Sequence, residues 1–148
     1  MQTATATAKT SQLRETSKSI DEIMAYQNDH LLARHLRDNG GTREDVERCF
    51  LAMKQFLVVC SVVPGQKVAY QDVDELWHTF LLFTRDYQNF CEEYLGRFIH
   101  HDPNGGFPTG TYETTRELAK EMFSPIDEHF WAKETRIDCS GGSSGCGG

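Results

Sequence analysis

The sequence predicts one all-α domain of about six helices, residues 17–135, held between two flexible tails. Three observations predict it. Apolar residues through the middle recur at helical spacing, the runs are bracketed by helix-start and helix-stop residues, and both ends hold almost nothing to bury. A chain of 148 residues fits one domain. A domain near that length buries roughly 70% of its unfolded surface, enough for a core without staples.

Residues 1–16, mostly Thr, Ala, Ser and Lys with almost nothing to bury, read as the first tail. Ser19 with Glu22 forms a capping box, in which hydroxyl and carboxylate each satisfy a backbone N–H left free at a helix start. The first helix carries Ile20, Ile23, Met24, Leu31 and Leu32, and Asn39-Gly40-Gly41 supplies its left-handed end. Thr42 caps the second, with Asp45 near its positive end and Val46, Phe50, Met53, Leu57 and Cys60 on one face. Cys49, Phe56, Val58, Val59, Val62 and Val63 make its second half apolar nearly all round, so it is expected to be central. Pro64-Gly65 stops it, and Gln66 to Gln71 forms a short connector open to an extended path.

Asp72 with Glu75 repeats the cap signal and opens a helix from Val73 to Phe83. The polar run Thr84-Arg85-Asp86 predicts a break there, with Thr84 as cap. The helix beyond it carries Tyr87, Phe90, Cys91, Tyr94, Leu95 and Phe98 on one stripe. Asp102 to Pro108 is turn chemistry, which puts His100 and His101 at the helix C-terminus or just past it. A helix from Tyr112 to Phe123 follows, and Ser124-Pro125 reads as N-cap and first residue of a last short helix ending near Trp131. Residues 136–148, rich in Gly, Ser and Cys, form the second tail.

A net charge of −7 argues against nucleic acid as partner, because phosphate binding needs a basic face to displace counterions. No run of roughly 18 apolar residues suggests a membrane span, and the first ten residues lack the apolar core of a secretion signal. The five cysteines are odd in number, and Cys49, Cys60 and Cys91 fall in helical patterns. Free thiols in a reducing, cytoplasmic setting are therefore expected. There is no phosphate-binding glycine loop, nucleophile elbow or Cys-Xaa-Xaa-Cys pair.

Residues that do chemistry concentrate between 71 and 103. Asp74 lies one turn before His78, where a carboxylate orients an imidazole and leaves its other nitrogen for a metal or proton. In an unbroken helix Cys91, thirteen residues on, would lie about 20 Å along the axis from His78, so the two could meet only through the break at Thr84. The expected site is His78, Cys91 and one of His100 and His101, supported by Asp74, Arg97 and Asp102, with zinc as the ion. The competing readings are a core histidine satisfied by Asp74, a buried thiol, and histidines that complement a helix dipole. Cys139 and Cys146, separated by six small residues, allow a disulfide, a chelate or solvated thiols. His30, His35 and His129 read as surface or structural.

The stretch Val73-Asp74-Glu75-Leu76-Trp77-His78-Thr79, with Thr84-Arg85-Asp86-Tyr87, Phe90-Cys91 and Gly96 to Pro103, resembles the glycine-rich domain-containing protein-like family, known in bacteria and as an N-terminal region of larger plant proteins. The end from Cys139 to Gly148 is similar to the glycine-rich tails of bacterial relatives. Relatives often carry a second histidine two places after the Trp-His pair, where this chain has Phe80. The resemblance implies no reaction. The residues leave three functions: a metal- or small-ligand-binding module, an interaction module for a protein partner whose His/Cys/Trp cluster is structural, and a thiol enzyme using Cys91.

Overall fold

The computed structural model describes residues 13–133 together with 145 and 146. The expected tails at 1–16 and 136–148 therefore fall largely outside the described residues, as does Cys139. The elements in chain order are α1 (Ile20–Met24), α2 (Asp29–Asn39), α3 (Arg43–Val62), β1 (Lys67–Val68), α4 (Gln71–Leu82), α5 (Thr84–Phe90) running into a π-helical turn (Cys91–Leu95), α6 (Thr111–Phe123) and β2 (Gly145–Cys146).

The central position expected for α3 is found: α1, α2, α4, α6 and the π turn all pack against it. Thr42 accepts the Asp45 N–H at 3.1 Å, and Met53, Phe56, Leu57, Val58 and Val59 are fully buried. Each such side chain contributes about 1.5–3 kcal/mol relative to exposure. Polar Lys54 is buried among them. Its ammonium donates to the carbonyls of Met24 and Tyr26, at 2.5 and 2.9 Å, and so closes the end of α1.

Six α-helices form among the described residues, by a different division from the expected one. The predicted first helix is two. Ser19 caps α1 as expected, with its hydroxyl 3.2 Å from the Glu22 N–H, but the helix ends at Met24. Asn28 then starts α2 by accepting the Leu31 N–H at 3.1 Å while its amide donates to Asp86 on α5. That local bond competes with helix continuation and wins because α5 holds the same side chain.

The predicted last helix is absent. After the cis Ser124–Pro125 bond there is a single turn, in which Phe130 and Trp131 both donate to the Asp127 carbonyl. Arg48 of α3 grips the Asp127 carboxylate at 2.9 and 3.0 Å, which pins this turn where it stands.

The Asp72–Glu75 capping box does not form. Helix α4 starts earlier, at Gln71, because Asp74 already donates to the Tyr70 carbonyl at 2.9 Å, and Asp72 and Asp74 lie in its first turn. The break near Thr84 is present. Phe83 leaves helical geometry (φ −88°, ψ 68°), and Thr84 is the first residue of α5 rather than its cap.

Past the break, Tyr87, Phe90, Cys91 and Leu95 are buried as the stripe predicts. Gly96 at φ +85° ends the π turn, so Phe98 lies off the helix and is 41% exposed. A Cβ on Gly96 would sit 2.7 Å from the Ser17 hydroxyl, so the incoming chain also requires glycine there.

Two cysteines overturn the free-thiol expectation. Cys60 and Cys146 form a disulfide, which holds β2 antiparallel to β1 with Cys146 opposite Lys67. A contact between residues 86 apart leaves no local signature, and its existence removes two of the thiols on which the reducing-compartment reading rested. Cys49 and Cys91 are free and buried. No helix among the described residues is long and apolar enough to cross a membrane.

Candidate functional site

Asp74 and His78 are four residues apart, so the helical period puts them on one face of α4. The His78 Nε2 lies 3.3 Å from Asp74 Oδ2. A second imidazole arrives from the loop after Gly96. His101 Nε2 lies 3.1 Å from the other oxygen, Asp74 Oδ1, and the two histidine rings stand 4.5 Å apart.

The loop is aimed by a buried chain of hydrogen bonds. The Trp77 indole N–H donates to the Tyr87 hydroxyl at 3.0 Å, and that hydroxyl donates to the carbonyl of Ile99. Ile99 is buried, and the Trp77 ring packs edge-on against His101 at 4.4 Å. The break at Phe83 makes this possible, because it lets Tyr87 turn back toward Trp77.

One donor atom from each of Asp74, His78 and His101 lies within 4.8 Å of the others. The Asp74 and His101 side chains are 6% and 8% exposed, and His78 is 48% exposed. The cluster is therefore walled by protein on one side and open on the other. Two imidazole nitrogens and one carboxylate form a donor set suited to a divalent transition metal, with room for a further ligand on the open side.

The other expected site residues lie elsewhere. Cys91 is fully buried at the start of the π turn and outside the cluster. Burial pushes its thiol pKa up, more than the Ile99 backbone and the Tyr87 hydroxyl pull it down. His100 is exposed, its ring 4.8 Å from Phe98. Arg97 reaches the Glu15 carbonyl at 3.5 Å, and Asp102 accepts the Asn104 N–H at 3.1 Å to close the following turn. Adjacent side chains diverge, so His101 turns inward while His100 turns out. Asp74, expected only to orient His78, offers an oxygen to each histidine.

A family model described as UCP032817-like matches residues 18–123, a span that contains the whole cluster. No curated protein and no solved structure matches the chain. The family match overturns the glycine-rich domain resemblance: it is to a different family, it stops short of the Gly/Cys-rich end, and nothing in the comparisons supports the other.

Proposed function

The chain belongs to the UCP032817-like family, and within it we propose a module that binds a divalent metal through Asp74, His78 and His101, with zinc as the ion. The observation that carries the reading is the convergence of three donor atoms within 4.8 Å, two of them on buried side chains. A buried carboxylate shared by two imidazoles is costly to desolvate, and a cation between them offsets that cost. Three protein ligands leave a further position on the His78 side, where a water molecule or a small anionic ligand completes the coordination. Iron(II) takes the same donor set.

Metal analysis of untagged protein tests this. Near one equivalent in the wild type, absent from His78→Ala and with a lower melting temperature after chelation, supports the site and names the ion. No metal in protein reconstituted with zinc or iron(II) sinks it.

A second reading, an interaction module whose cluster only specifies the core, is favoured by Leu82 and Phe98, which are 63% and 41% exposed. Under it His78→Phe folds and binds partners unchanged.

A further inference from the structure

Glu75 is a carboxylate that neither the fold nor the donor cluster uses. No side chain caps α4, and Glu75 is exposed, its carboxylate without a hydrogen bond or ion pair among the described residues. It directly follows Asp74 and stands three residues before His78. At about 100° per residue, His78 lies about 40° around α4 from Asp74, and Glu75 about 60° further the same way. Leu82, one turn after His78, falls between those two bearings and is 63% exposed. His101 closes the opposite flank, seated against Trp77. Glu75 thus borders the open side of the cluster, where His78 is 48% exposed.

Its oxygens are not among the three donors that lie within 4.8 Å of one another, so Glu75 is a neighbour of the ligands rather than a fourth ligand. The side chain runs along the cleft toward His35, but no bond holds it there. Exposed side chains change rotamer within nanoseconds, so the carboxylate is free to swing to the cluster. The spacing gives this position a chemical meaning. Helical zinc hydrolases carry a ligand, then a glutamate base, then two residues, then a second ligand; Asp74, Glu75, Leu76, Trp77 and His78 repeat that order with aspartate as the first ligand. Two imidazoles and one carboxylate are likewise the donors of catalytic zinc sites, which keep an open position. The nearby Asp72 lies about 160° around the helix from Asp74, and Asp102 is occupied by the Asn104 N–H.

We propose that Glu75 is the general base of a hydrolytic centre at Asp74, His78 and His101, acting on a small acyl compound, an ester or an amide; the inference rests on the metal reading. Water at the open position gives a proton to the Glu75 carboxylate, and its oxygen adds to the acyl carbon. The carbonyl electron pair moves onto the carbonyl oxygen, which the cation stabilises. When that pair returns, the bond to the leaving oxygen or nitrogen breaks and Glu75 hands the proton to it. Water and an ester or amide become an acid and an alcohol or amine, with no oxidant or reductant. Leu82 offers an apolar rest for the acyl chain.

The test uses the full chain loaded with zinc, p-nitrophenyl butyrate and butyryl p-nitroanilide as probes, and metal analysis of every sample. The zinc-loaded wild type should cleave the ester faster than the chelated protein, and cleavage of the anilide as well would extend the substrate class to amides. Glu75→Gln should keep its zinc and the wild-type melt while the zinc-dependent rate falls about 100-fold or more. Acetohydroxamate, which gives up a proton as it chelates, should bind the zinc-loaded variant about tenfold or more weakly than the wild type. Zinc-loaded protein that cleaves neither probe faster than chelated protein, or a zinc-dependent rate unchanged in Glu75→Gln, overturns the proposal and leaves the metal reading standing. Wild type that takes up no zinc overturns both, and the metal content tells the two failures apart.

Discussion

The hydroxyl of Tyr87 is bonded to the carbonyl of Ile99, two residues ahead of His101, and the same hydroxyl receives the indole N–H of Trp77. One phenol thus ties the loop that brings the second histidine to the helix that carries the first. Tyr87→Phe keeps the ring and removes both bonds. It leaves a buried donor and a buried acceptor unpaired, a destabilisation of about 2–6 kcal/mol at about 1–3 per group. Zinc affinity should fall with it, because His101 loses its anchor, and calorimetric melts beside a zinc titration check both.

His78 and His101 should separate binding from stability. His78 is half-exposed, so His78→Ala abolishes metal binding while changing apo-protein stability by no more than about 0.5 kcal/mol. His101 is buried against Trp77, so His101→Ala loses the metal and also opens a cavity, costing about 2 kcal/mol or more. Urea unfolding of the apo-proteins measures the difference. Equal stabilities would contradict the packing described for His101.

Lys54 should impose a pH slope. Burial lowers its pKa from 10.5 to about 8. Between those values the unfolded chain holds a proton that the folded chain has released, so this residue makes stability rise with pH across that window; below it the full desolvation penalty applies. Lys67 is shifted to about the same value by burial and the nearby Arg14, so the wild type alone does not isolate Lys54. Wild type minus Lys54→Met, compared at about pH 7.5 and 10, does. A pH-independent difference would show that Lys54 titrates as it does in water.

The Cys60–Cys146 bond spans 86 residues, and on a chain-entropy argument its loss costs about 4.6 kcal/mol. Reduced wild type and the Cys60→Ser/Cys146→Ser variant should melt together, below the oxidised protein. Coincident melts of oxidised and reduced wild type would mean that the bond contributes nothing.

What the sequence revealed follows from the range of the interactions. Asp74 and His78 were legible as a pair because the helical period alone brings them together. The break was legible because polar Thr84, Arg85 and Asp86 interrupt an apolar run. The division of the first helix was not, since Ile20, Ile23, Met24, Leu31 and Leu32 keep helical spacing across the gap, and the deciding bonds run from Asn28 to Leu31 and to Asp86. Choosing His101 over His100 required the Tyr87–Ile99 bond. Cys91 was placed in the site because a buried stripe position and a ligand position look alike until the core is assembled.

The edge-on seat of His101 against Trp77 makes the protein its own optical probe. The chain has two tryptophans, and Trp131 is bound through its indole N–H to Gln55, outside the Asp74 cluster. In a Trp131→Phe background the remaining emission comes from an indole in contact with one candidate ligand. Its intensity then reports directly whether that imidazole is neutral, protonated or occupied, with no label attached to the chain.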